Sequence, residues 1–108
     1  MKPQKLTEKD LERELSQSDK TVVVDFYADW CGPCKMLSLV YDAVAREFDD
    51  VLFGKVNIDE EPEVARRFGV QTIPTVILFR DGEPQRTQKG FVRPMQLRDF
   101  VTQAHSSL

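Results

Sequence analysis

The spacing of hydrophobic and polar positions along this chain changes from one segment to the next, which predicts a protein built from both helices and strands. A near-continuous apolar run at residues 21–27 is typical of a strand that is covered on both faces. Further strands are predicted at residues 51–57 and 75–80. Apolar residues at helical spacing predict four helices, at residues 8 to about 17, 34 or slightly earlier to 48, 62 to 68, and from 94 onward.

Capping residues indicate where these helices begin and end. Thr7 is followed three positions later by Asp10, which resembles a capping box at the first helix. Pro62 and Pro94 suit the first turn of a helix, and Gly69 suits the position just past a helix end. The helix boundaries are therefore predicted independently of the apolar pattern.

The last two strands are predicted to form a hairpin, because Asp81 and Gly82 form a typical two-residue turn. Residues 83–88 then return at a sheet edge, since Pro84 cannot donate to a ladder on both sides. The segment of residues 2–6 is short and polar, so it predicts an edge strand at best. The order of elements predicts an α/β fold with a mixed sheet and helices on both faces, in which a parallel crossover precedes an antiparallel hairpin.

Composition limits the class of protein. A chain of 108 residues fits one domain spanning residues 1–108. The net charge of −3 argues against nucleic acid or an anionic membrane as the main partner. No apolar run approaches the roughly 20 residues that span a bilayer, and the N-terminus lacks an apolar signal core. Two cysteines without an export signal predict a reducing compartment, the cytoplasm, although a mature chain with its leader removed would look the same.

The two cysteines are the strongest candidate for chemistry. Cys31 and Cys34 directly follow the strand at 21–27 and open the next helix. Residues three apart on a helix lie on one face, close enough for a disulfide. Unpaired N–H groups and the helix dipole favour the thiolate of the first cysteine. The junction also lies at the carboxyl end of the sheet, where α/β proteins place their sites. The pattern predicts thiol–disulfide chemistry.

Other uses of the cysteines are less well supported. A structural zinc site needs four ligands, and two cysteines with His105 provide three. An iron–sulfur cluster usually needs four thiolates. A disulfide that closes so small a loop stabilises little. No metal site is predicted, and half of an intermolecular metal site or an idle pair remain as alternatives.

Two polar or aromatic residues near the cysteines have alternative interpretations. Asp25 interrupts the buried strand, so its pKa should be raised unless the carboxyl group is hydrogen-bonded or reaches solvent. Trp30 could be a core aromatic residue, but its position between Asp29 and the first cysteine favours a partly exposed residue that covers the site.

Five segments together resemble the thioredoxin family in order and spacing, and the resemblance runs from about Leu6 to the end. The segments are residues 24–35, 55–59, 69–75, 81–83 and Gly90. The resemblance implies a thioredoxin fold, with a central mixed sheet of four to five strands, four flanking helices and a cis peptide bond before Pro74. It also implies a monomer that acts without a bound cofactor.

Helix geometry and the resemblance together imply a role for each site residue. From its place in the first turn of the helix, Cys31 is expected to be the exposed nucleophile, and Cys34, one turn in, the more shielded resolving thiol. The roles of the other residues come from the resemblance. Asp25 is expected to take the proton of the resolving thiol, through water. Lys55 matches the amine near that acid, although alone it would be interpreted as a solvated lysine. The expected substrate-binding residues are Trp30, Gly32, Pro33, Ile58, Ile73, Pro74 and Gly90.

The implied function is a general reductase of protein disulfides that is recharged by a thioredoxin reductase. Gly32-Pro33 favours reduction over oxidation by resemblance. The alternatives are a relative specialised for oxidation or for one partner, and a redox-independent binding subunit of a larger assembly.

The chain departs from the family pattern at several positions. Leu39 stands where the family usually has a proline, so the long helix is predicted to be straighter than usual. Tyr27 replaces a common tryptophan. Lys89 and Phe91 flank Gly90, where they either reshape the substrate rim or are tolerated surface residues.

Overall fold

The computed structural model describes residues 3–17 and 19–106, with side chains described up to residue 102. Strands and helices alternate along this part of the chain up to β4, which is followed directly by β5, as the sequence pattern predicts. The elements are β1 (Gln4–Lys5), α1 (Glu8–Ser16), β2 (Thr21–Tyr27), α2 (Gly32–Ala45), β3 (Val51–Asn57), α3 (Pro62–Arg67), β4 (Thr75–Arg80), β5 (Glu83–Lys89) and α4 (Pro94–Ser106). His105 lies in α4, and its side chain is outside the described part.

The five strands form one mixed sheet in the order β1-β3-β2-β4-β5. β3 pairs in parallel with both β1 and β2, whereas β4 is antiparallel to β2 and β5 is antiparallel to β4. The predicted parallel crossover and antiparallel hairpin are therefore confirmed. β5, which contains Pro84, lies at one edge, and the two-residue β1 lies at the other.

Helices cover both faces of the sheet. On β2, Val22, Val24 and Phe26 pack on one side with apolar residues of α1 and α3. Val23 packs on the other side with apolar residues of α2 and α4. Because side chains alternate along a strand, Asp25 points to the same side as Val23. The fold thus directs this carboxyl group toward α2.

The predicted ends of the elements are mostly confirmed. The capping box of Thr7 and Asp10 forms at the start of α1. The hairpin turn contains Asp81 and Gly82 with positive φ, 53° and 80°. A Cβ at Gly82 would lie 2.8 Å from the carbonyl oxygen of Leu15, so the turn has no room for a larger residue. Among the described residues, no helix combines the length and the apolar character that crossing a membrane requires.

The predicted end of α2 at Phe48 is wrong, since the helix ends at Ala45. The N–H groups of Glu47 and Phe48 donate to Val44 and Ala45, three residues back, so the chain tightens into a turn. Phe48 still packs against the core, beside Phe53. Its apolar side chain continued the helical spacing, although the backbone there is no longer α-helical.

Candidate active site at the Cys31–Cys34 disulfide

The two cysteines are joined at the N-terminus of α2. Cys31 is the N-cap residue with extended backbone, and Cys34 lies in the first turn. Their sulfurs form a disulfide with the Cα atoms 5.2 Å apart. The backbone N–H of Cys34 also donates to Cys31 Sγ at 3.2 Å. Because the helix N-terminus supplies this donor, it would stabilise negative charge on the Cys31 sulfur once the disulfide is reduced.

The solvent exposure of the two cysteines does not distinguish one from the other. Cys31 is 5% exposed and Cys34 is 3% exposed, so the expectation of an exposed Cys31 is not met in this disulfide form. Both pack with Ala28 and with the half-buried Ile58 and Ile73. The difference between them lies in their neighbours, since Cys34 borders a cleft that also contains Asp25.

The segment before β4 lies against Cys31. The Ile73–Pro74 peptide bond is cis, which confirms the expectation that the family resemblance raised. The carbonyl oxygen of Ile73 lies 4.0 Å from Cys31 Sγ. The N–H of Gly90 donates to the Pro74 carbonyl at 2.8 Å. Tertiary structure therefore brings Ile73, Pro74 and Gly90 together at the disulfide.

Trp30 is 70% exposed and directly precedes Cys31, so it is not the core aromatic residue of the alternative interpretation. Its Nε1 donates to Asp59 Oδ2 at 2.8 Å. Asp59 is itself held, because its backbone N–H donates to Asn57 Oδ1 at 2.9 Å. Asn57 and Asp59 belong to the segment 55–59, which resembles the thioredoxin family, yet the resemblance implied no role for them. Only the folded chain shows that they anchor the tryptophan.

Asp25 is almost completely buried, with 1% of its surface exposed. Its Oδ1 has no hydrogen-bond partner among the described residues. Burial raises the pKa of this carboxyl group from 3.8 to about 7, against an opposing effect of the Lys55 charge and with a smaller contribution from Asp42. The predicted rise in pKa is therefore supported, and the alternative of a hydrogen-bonded structural acid is not.

Lys55 is opposite Asp25 in the register of β2 and β3. Its Nζ nevertheless donates to Ser38 Oγ at 2.7 Å. Nζ also lies 3.1 Å from Asp42 Oδ1, in an ion-pair contact without hydrogen-bond angles. The Lys55 side chain is 21% exposed, so it is not the freely solvated lysine of the alternative interpretation. No sequence pattern had singled out Asp42.

A cleft of about 230 Å³ connects these groups. Its lining includes the resolving-thiol candidate, the buried acid and the lysine, and the full set is Asp25, Tyr27, Ala28, Asp29, Cys34, Lys35, Ser38 and Lys55. Such a cleft can hold water between a carboxyl group and a thiol.

The comparisons with known proteins agree with this geometry. Residues 2–103 match the family model described as Thioredoxin. The chain belongs to the thioredoxin family. It is 40% identical over 100 residues to a thioredoxin of Rickettsia typhi, covering 92% of this chain and 95% of that protein.

Solved thioredoxin structures are similar over nearly the whole chain. Chloroplastic thioredoxin z superposes with a TM-score of 0.88 at 32% identity, covering 99% of this chain and 97% of the other. A mutant thioredoxin of Halobacterium salinarum gives a TM-score of 0.88 at 34% identity, with 99% and 93% covered. The α/β thioredoxin fold predicted from the sequence is thereby confirmed.

Family membership and the cysteine pair together define the chemistry. This thioredoxin-family protein is a thiol–disulfide oxidoreductase, and its redox-active pair supports a role in reducing protein disulfides. Thioredoxins typically carry out this reaction without a cofactor. Within residues 3–17 and 19–102, no group of three or more His, Cys, Asp or Glu side chains could hold a metal ion.

Proposed function

We propose that this protein is a general reductant of protein disulfides in which Cys31 is the nucleophile, Cys34 the resolving thiol and Asp25 the proton acceptor. The observation that carries this assignment is the asymmetry of the two sulfurs. Cys31 Sγ accepts the N–H of Cys34 at the start of α2, whereas Cys34 borders the cleft with Asp25. These contacts support a thiolate at Cys31 and the loss of a proton from Cys34 during its attack.

The reaction proceeds in two exchanges. The Cys31 thiolate attacks one sulfur of a substrate disulfide, forming a mixed disulfide and releasing the other substrate sulfur as a thiolate. The Cys34 thiol then gives its proton to Asp25, through water in the cleft, and attacks Cys31 Sγ. The bond to the substrate breaks and the second substrate thiolate leaves. Two electrons have passed to the substrate, and the Cys31–Cys34 disulfide remains.

The substrate is proposed to bind across Trp30, Gly32, Pro33, Ile58, Ile73, Pro74 and Gly90. The carbonyl oxygen of Ile73 faces the region of Cys31 Sγ, where an extended substrate segment could pair with it. The exposed Trp30 ring supplies apolar surface next to Cys31, and Phe91, which is 40% exposed, directly follows Gly90 in the chain. The proposed substrates are therefore disulfide-containing proteins.

A thioredoxin reductase is proposed as the electron donor, because the oxidised pair must regain two electrons after each turnover. A reducing compartment, the cytoplasm, suits such a cycle. We propose that the protein acts as a monomer. We also propose that Lys55, opposite Asp25 in the sheet, tunes the acidity of that carboxyl group.

The order of alkylation tests the two thiol roles. Iodoacetamide at neutral pH should label Cys31 of the reduced protein well before Cys34, because Cys31 Sγ accepts a backbone N–H at the start of α2, which stabilises its thiolate. Mass spectrometry of the digested protein measures this order. In a Cys31→Ser control, labelling of Cys34 should be slow. Earlier labelling of Cys34 in the unmodified protein would reverse the assignment.

Turnover separates a reductase from a binding subunit. With insulin as the disulfide substrate and dithiothreitol as the electron source, Cys31→Ser should lose the reductase activity. Cys34→Ser should instead accumulate a mixed disulfide through Cys31, which non-reducing gel electrophoresis detects. If Cys31→Ser reduces insulin as fast as the unmodified protein, the proposed function is wrong.

A further inference from the structure

The contacts of Lys55 do not follow from its place in the sheet. Cross-strand neighbours point to the same side, so Lys55 and Asp25 share one face. A direct ion pair would be the simplest result. Yet Asp25 Oδ1 has no hydrogen-bond partner among the described residues, and the ammonium group contacts α2 instead.

The residues that hold the ammonium group lie on the same face of α2 as the resolving cysteine. Cys34, Ser38 and Asp42 are spaced four residues apart, so they succeed one another along one side of the helix. Ser38 supplies a neutral oxygen at 2.7 Å from Nζ, and Asp42 supplies a charged oxygen at 3.1 Å. Lys55 is therefore held by two side chains on one face of α2.

We propose that Ser38 and Asp42 are positioning residues of the disulfide-exchange reaction, which hold the Lys55 ammonium group off Asp25 and leave that carboxylate free to receive the Cys34 proton. This inference rests on the proposed role of Asp25. A carboxylate in direct contact with an ammonium group is a weaker base, since the ion pair favours the charged form. A lysine that is near but anchored elsewhere lets the acid become a proton acceptor at neutral pH.

The other groups around Asp25 do not provide this control. From α2, Tyr41 is fully buried and its hydroxyl lies 3.0 Å and 2.8 Å from the carbonyl oxygens of Val23 and Gly54. The neighbour from β4, Val76, is apolar. Asp29 and Lys35 line the cleft and are exposed. Lys55 lies opposite Asp25 in the sheet and is held by side chains of α2, so it is the cation through which this control would act.

Ser38→Ala is the decisive variant, because it removes the hydroxyl group that anchors Lys55 without changing any charge. The apparent pKa of Asp25, followed by carbon-13 NMR of the oxidised protein, should fall by about one pH unit as the ammonium group moves toward it. The pH at which the rate of resolution by Cys34 reaches half its maximum should fall with it. This midpoint is measured as the second phase of thiolate release from a chromogenic aryl disulfide.

Four further substitutions isolate the cause. Ser38→Thr keeps the hydroxyl group and should retain the original midpoint, and Ser16→Ala, in α1, should not change it. Asp42→Asn should lower the midpoint as well, since it removes a negative charge and one hold on Lys55. In a Lys55→Met background, Ser38→Ala should have no further effect, because the ammonium group that it would release is absent.

The outcomes distinguish this inference from the function on which it rests. An unchanged or raised midpoint in Ser38→Ala, or a fall that persists in the Lys55→Met background, would overturn the positioning role. If Asp25→Asn leaves the resolution rate and its pH profile unchanged, the proposed role of Asp25 itself fails, and the positioning role fails with it.

Discussion

At position 25, a carboxyl group lies in the middle of a strand whose neighbours are almost completely buried. A proton acceptor works best when its pKa is close to the pH at which it operates. Burial raises the pKa of Asp25 to about 7, so near neutral pH the group exists in both forms. The same burial makes the ionised form costly to the fold. Asp25 is therefore suited to proton transfer at the expense of stability.

Asp25→Asn should slow the resolution step by roughly 10²-fold or more, because it removes the proposed proton acceptor for Cys34 while keeping the shape of the side chain. Formation of the mixed disulfide by Cys31 should be largely unchanged. Stopped-flow measurement of the two phases of thiolate release separates these steps. Asp49→Asn, an exposed acid at the turn before β3, serves as the control. Equal resolution rates in both variants would leave Asp25 an ordinary acid.

Among the elements, α2 contributes most to the site. It carries Cys34 in its first turn, and it carries Ser38 and Asp42 further along the same face. Its helical hydrogen bonding continues through Leu39, the position where a proline is expected from the family resemblance. The hydroxyl group of Ser38 accepts from Lys55 at 2.7 Å. That Leu39 makes the helix straighter than is usual in the family stays a prediction.

Leu39→Pro tests this prediction. Leu39 is 75% exposed, so loss of its side chain removes little burial and the change reports on the backbone. In a straight helix the substitution should cost about 3 kcal/mol or more, because proline lacks the N–H and its ring crowds the preceding turn. Urea denaturation measures the cost, and Leu39→Ala should change stability by only about 0.5 kcal/mol. A cost near that of the alanine control would show that packing already bends α2.

The whole molecule should be less stable at neutral pH than at mildly acidic pH. The folded-state pKa of Asp25 lies above its unfolded value, so between about pH 4 and pH 7 the native state holds a proton that the unfolded chain has lost. Stability therefore falls as pH rises through this range, by about 4 kcal/mol at most. Asp10 and Glu47 have lowered pKa values, through the Thr7 cap and Arg98 respectively. Their contributions are lost only as the pH falls through the acidic range.

Asp25→Asn should remove this pH dependence. The variant should be more stable than the unmodified protein at pH 8, by up to about 4 kcal/mol, and nearly equal to it at pH 4. Urea denaturation of both oxidised proteins across this range measures the difference, since the disulfide keeps the thiols from titrating. A difference that stays constant with pH would show that ionisation of Asp25 does not limit stability.

The sequence by itself determined the elements, their order and the reactive pair. These features are encoded locally: the apolar run of residues 21–27 specifies a buried strand, and Asp81-Gly82 specifies a tight turn. The cysteine spacing places both sulfurs at one helix end. The roles of Asp25 and Lys55 came from resemblance. The cis bond at Pro74 did as well, because no local pattern distinguishes a cis from a trans proline.

Tertiary structure alone decided which groups meet. It ended α2 at Ala45, and it paired the two residues of β1 with β3. It also turned Lys55 from Asp25 toward Ser38 and Asp42, and it left the buried carboxyl group without a partner on Oδ1. Side-chain contacts of this kind depend on elements far apart in the chain. Their geometry follows from packing against those elements, which no local periodicity records.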